Sequence, residues 1–77
     1  MKQQYITKAF KILLAENSMK VTDLCKEANV SRSAIYKTFG EKGTPRIDNE
    51  TMRKSLSVLG TTFIRFMVKV EKLEGNV

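Results

Sequence analysis

Arg32, Ser33 and Lys37 stand close together in the run VSRSAIYKTF. Their chemistry is hydrogen-bond donation. A guanidinium can donate two parallel bonds to the edge of a guanine, a hydroxyl can bond a base or a phosphate, and an ammonium can reach either. No other constellation in the chain competes with this one. There is no histidine to act as a general base, and the one cysteine has no partner. Asp23, Glu27 and Glu41 read as solvated carboxylates. Cys25 reads as a small packing residue, not a reactive thiol. The methionines Met1, Met19, Met52 and Met67 show no cofactor pattern. No nucleophile–base pair and no phosphate-cradling glycine loop is visible. The chain is expected to be no enzyme and to need no cofactor or metal.

The bulk composition agrees with a polyanionic partner. The formal net charge is +6 over 77 residues, which favours nucleic acid through counterion release and steering. A chain of this size buries a modest fraction of its surface on folding, and small domains often need a further support. An internal disulfide and a conventional zinc site are both excluded by one cysteine and no histidine. A well-packed helical core, a second copy, or both must serve instead. No apolar run reaches signal-peptide or membrane-spanning length. The expected location is cytoplasmic and nucleoid-associated, and the lone thiol fits a reducing compartment.

The donors need elements to hold them. In residues 4–16, Tyr5, Ile6, Ala9, Phe10, Leu13 and Leu14 recur at helical spacing, and Asn17-Ser18 stops that helix. A second, short helix over 20–28 buries Val21, Leu24, Cys25 and Ala28, with Ser18 favoured over Lys20 as its cap. Asn29 suits a left-handed turn. Ser31 is a good N-cap for a third helix from Arg32 to Phe39, anchored by Ile35 and Phe39. Residues 40–47, GEKGTPRI, form a loop. Asp48 or Asn49 can cap a fourth helix that buries Met52, Leu56 and Leu59 and ends at Gly60.

Residues 21–39 satisfy the separate demands of a helix-turn-helix. Cys25 and Ala28 are small enough for a close crossing, Asn29 makes the turn, and Val30 plugs it. Ile35 and Phe39 hold the second helix inward while its first turn stays polar. Such a helix enters the DNA major groove N-terminus first. Expected base contacts are then Arg32 to guanine, Ser33, Lys37 one turn on, and Ala34 against a thymine methyl unless it simply packs. Expected backbone contacts are Thr22 near the start of the second helix, Ser31, and Tyr36 through its hydroxyl.

The run VSRSAIYKTFGEKGTPRI, followed by a helix and the pair Leu59-Gly60, resembles the lambda-repressor-like, Cro/C1-type (XRE) helix-turn-helix proteins. It is most similar to the small addiction-module antidote proteins among them. That resemblance spans roughly residues 5–70. It implies a mainly α fold, a four-helix lambda-repressor-like domain over residues 1–60, and backbone contacts from Lys42, Thr44 and Arg46 in the loop. Two departures stand out. The stretch between Pro45 and Gly60 is slightly longer than in that subgroup, and Thr44 replaces a preferred asparagine. Residues 19–39 are also similar to TetR-type N-terminal domains, but the proline loop favours the first family.

Residues 61–77 form a separate tail in this reading. In TTFIRFMVKVE, Ile64, Phe66, Val68 and Val70 alternate with polar or flexible residues, which predicts a β-strand over about 62–70. Phe63, Phe66, Met67 and Val70 also fit a helix, the rival reading. A strand there has no partner within the chain. It would pair with its copy in a homodimer through Ile64, Phe66 and Val68, or else fold back on its own helices. The leading expectation is a sequence-specific repressor on double-stranded DNA. Alternatives are an antitoxin bound to a toxin protein, an architectural DNA factor, and an RNA-binding module. No membrane partner is expected.

Overall fold

The computed structural model describes residues 3–40 and 49–75. Five helices make up these residues: α1 (Gln3–Glu16), α2 (Val21–Ala28), α3 (Arg32–Phe39), α4 (Asn49–Val58) and α5 (Phe63–Gly75). The first three match the expected helices closely. Among the described residues no helix is long and apolar enough to cross a membrane.

Helix α1 is the spine. Tyr5, Ile6, Ala9, Phe10, Leu13 and Leu14 are all buried, as their three- and four-residue spacing requires. Phe10 stacks on Phe39 of α3, with centroids 4.1 Å apart and planes within 6°. Phe66 of α5 meets the same Phe39 edge-on at 5.8 Å. Such ring pairs add about 0.5–1.5 kcal/mol beyond area burial. Phe39 therefore joins three helices. A buried hydrogen bond reinforces the joint: Thr7 Oγ1 donates to the Phe39 carbonyl at 2.6 Å.

The helix ends explain the turns. At the end of α1, Ser18 is left-handed (φ 52). Met19 N–H donates to Leu14 O at 2.9 Å and Ser18 N–H to Ala15 O at 3.1 Å, the paired bonds of a Schellman motif. Ser18 thus closes α1 and does not cap α2. The N-cap position of α2 is Lys20. Its backbone N–H donates to the Asp23 carboxylate at 3.2 Å, the half of a capping box in which the third helical residue reaches back to the cap position. Gly60 (φ 74) ends α4 as expected, with Gly60 N–H donating to Ser57 O and Thr61 N–H to Leu56 O. Met52, Leu56 and Leu59 are buried. The cap expected at Asp48 or Asn49 rests on side chains outside the described residues.

The tail is a helix, and the expected strand over 62–70 is overturned. Thr62 Oγ1 accepts from Arg65 N–H at 3.3 Å, and Thr62 O accepts from Phe66 N–H at 2.9 Å. Phe66 and Val70, four residues apart, fall inward, with Met67 and Leu73 packed beside them. A helix satisfies its backbone within one segment, whereas a lone strand leaves it open. The alternation was real, but the helical spacing of Phe66, Met67 and Val70 fills the core against α1. Helix α5 is also tied to α1 by a Lys69–Glu16 ion pair at 2.7 Å, worth little by itself at such exposure. The dimer ribbon through Ile64, Phe66 and Val68 falls with the strand. Phe66 is spent in its own core (1 % exposed), while Ile64 and Val68 point outward.

Candidate nucleic-acid interface

The turn before α3 is built as its residues dictate. Asn29 takes the left-handed conformation (φ 55), and Val30 N–H donates back to Cys25 O at 3.1 Å. Val30 and Cys25 are half-buried and pack on the core edge. Ser31 is extended, and its Oγ accepts from Ala34 N–H at 3.0 Å. That bond fixes where α3 begins, and it engages the Ser31 hydroxyl that was expected to reach a phosphate.

Helix α3 divides cleanly. Ile35, Thr38 and Phe39 are buried, and Leu24 and Ala28 of α2 are buried with them. On the opposite side Arg32, Ser33, Tyr36 and Lys37 are all exposed, and Ala34 is half-buried at the flank. Spacings of one, four and five residues put the four exposed side chains on one face of a helix. This face holds a guanidinium, an ammonium and two hydroxyls. No acidic residue occurs in α3. Tyr36 stands in the middle of this face, with 55 % of its surface exposed. Thr22 is exposed in the first turn of α2, where backbone amides lack intrahelical acceptors. Lys42, Thr44 and Arg46 lie outside the described residues.

The far end of α3 is closed by Gly40, whose N–H donates to Tyr36 O at 2.9 Å. A Cβ at this position would collide with that same carbonyl oxygen. The glycine therefore permits the chain to leave the helix directly behind Tyr36. Sequence reasoning placed Gly40 only in a loop. Likewise it did not anticipate that Thr7 holds the Phe39 carbonyl. An isolated threonine between apolar helix positions was the signal available.

Among the described residues no group of three histidine, cysteine, aspartate or glutamate side chains could hold a metal ion. The assembled chemistry is thus a rigidly mounted, cationic, donor-rich helix face. It suits recognition of acceptors held at fixed spacing on a polyanion, which is what a base-pair edge flanked by phosphates presents. No curated protein and no solved structure matches the chain. The Cro/C1-type HTH DNA-binding domain family matches residues 9–63, from the middle of α1 to the start of α5. With its turn, its recognition helix and that match in agreement, the chain belongs to the Cro/C1-type helix-turn-helix family of DNA-binding regulators.

Proposed function

We propose that the chain is a sequence-specific repressor of prophage, plasmid or addiction-module type, which blocks transcription by occupying an operator. The observation that carries this reading is the outward face of α3. It displays Arg32, Ser33, Tyr36 and Lys37, with no carboxylate on that helix. In this reading Arg32 donates to a guanine, Ser33 and Lys37 contact neighbouring bases, and Ala34 lies near a thymine methyl. Tyr36 bonds a phosphate through its hydroxyl. Thr22, Ser31 and the loop residues Lys42, Thr44 and Arg46 hold the DNA backbone. A single module of this size binds DNA modestly, so two copies reading a palindrome about one helical turn apart make the working unit.

The test is a titration of the chain against DNA from upstream of its own gene, wild type beside Arg32→Ala. The variant should lose about 1–3 kcal/mol of discrimination at one base position. Unchanged specific binding would remove Arg32 from the interface. A second reading, an antitoxin that also regulates its own operon, has in its favour the exposed apolar residues on α5. A stable complex with the product of an adjacent gene would select that reading.

A further inference from the structure

A groove of about 780 Å³ runs between α1 and α3, a volume typical of small-molecule sites. One wall is α1 from Thr7 to Leu14, and the other is α3 from Ser33 to its end at Gly40. The floor is apolar, because the buried side chains of Phe10, Leu14 and Phe39 close it. Each wall carries one exposed cation, Lys11 on α1 and Lys37 on α3. Among the described residues no acidic side chain lines the groove, and neither lysine is in an ion pair. Two like charges thus flank an apolar trough with no counter-charge between them.

We propose that this groove binds a fatty-acid-like ligand, one carboxylate on an unbranched apolar chain, and that this ligand and DNA exclude each other. The second half rests on the reading of α3 given above. The charge follows from the two lysines: a carboxylate has two acceptor oxygens and can receive donors from both sides. The apolar body follows from the floor. A phosphodiester laid against Phe10 and Leu14 would lose water without gaining partners, whereas an alkyl chain gains by the same contact. The lysine stems add further apolar surface along the rims. The length follows from α1, whose stretch from Thr7 to Leu14 rises about 10 Å. That accommodates roughly eight carbons of extended chain.

Exclusion follows from shared residues. Ser33, Tyr36 and Lys37 line the groove, and they are also three of the four exposed side chains on the outward face of α3. A carboxylate held by Lys37 neutralises a cation that DNA needs, and a chain beside Tyr36 covers its ring and hydroxyl. The ligand then acts as an inducer that frees the operator. By linkage, DNA must weaken the ligand by the same factor as the ligand weakens DNA.

The experiment titrates the full chain with decanoate, butyrate, 1-decanol and inorganic phosphate, each below its micelle or solubility limit. In amide-resolved NMR spectra decanoate should shift residues 7–14 and 33–40 and leave the exposed Ile64 and Val68 of α5 unmoved. It should bind about tenfold or more tightly than butyrate, because the longer chain covers the apolar floor, and more tightly than decanol, which lacks the charge. Lys11→Gln should weaken decanoate about three- to fivefold. With decanoate at about ten times its dissociation constant, affinity for a duplex that the chain selects from a randomised pool should fall about tenfold. Phosphate binding as tightly as decanoate, shifts centred on Ile64 and Val68, or undiminished decanoate binding by Lys11→Gln would overturn the ligand site. Decanoate and duplex bound together at full affinity would overturn the exclusion. A pool from which no sequence is enriched would overturn the reading of α3, and the ligand site then stands or falls on the titrations of the free chain.

Discussion

Helices α3 and α5 are built from similar materials and present opposite surfaces. Each sends aromatic and aliphatic residues inward to the same point: Phe39 from α3 and Phe66 from α5 meet at 5.8 Å. Outward, α3 shows Arg32, Ser33, Tyr36 and Lys37, while α5 shows Ile64 and Val68 bordered by Arg65 and Lys72. Shared packing thus fixes both helices in one frame, while their outward residues present different chemistry. A donor-rich face asks for acceptors.

The comparison can be broken at its joint. Phe39→Ala should cost about 3–5 kcal/mol of stability, because it empties the site where Phe10 and Phe66 both pack; chemical denaturation would measure it, and a loss under 1 kcal/mol would mean the joint is not shared. Next in size, Gly40→Ala should cost about 1–3 kcal/mol through the clash at the Tyr36 carbonyl, since the end of α3 must open to admit the methyl group. At Gly60, left-handed at φ 74 with open space around it, a change to valine should cost about 1–2 kcal/mol through backbone strain alone. Thermal unfolding of both glycine variants would separate the steric effect from the conformational one. Ser31→Ala should cost about 1 kcal/mol by removing the N-cap of α3, and helix content and DNA binding should fall together. Smallest, Lys37→Ala or Lys42→Ala should flatten the slope of log affinity against log salt by about one if the residue contacts phosphate. A change in base preference at Lys37 would instead assign it to a base edge.

The two helices also differ in how far the chain announced them. Around α3 each signal was local and had one interpretation. Asn29 suits a left-handed turn, Ser31 suits a cap, and Ile35 and Phe39 are one turn apart; the helix follows from neighbours within a few residues. In α5 the local signal had two readings. Ile64, Phe66, Val68 and Val70 alternate, yet Phe66, Met67 and Val70 also share a helical face. The choice was made by a contact distant in sequence, Phe66 against Phe39, which periodicity does not contain. Ser18 failed as a cap because its local signal also had two readings. A serine can cap or turn, and Ser18 takes the left-handed position that closes α1, with Met19 N–H bonded back to Leu14 O. The donor residues of the site were legible by type. The hydrogen bond from Thr7 to Phe39 was not, because its partners are far apart in the chain.

That hydrogen bond has a consequence for discrimination as distinct from affinity. Attraction between a cationic protein and DNA depends on charge and survives sloppy geometry. Telling one base pair from another depends on donors arriving at fixed positions. Thr7 and Phe10 hold α3 at its inner end, so they act on the second quantity and scarcely on the first. Loosening them, as Thr7→Val would, should lower affinity for the selected sequence toward that for unrelated DNA and leave the latter almost unchanged, so titrations of both sequences side by side are needed to see which quantity moved.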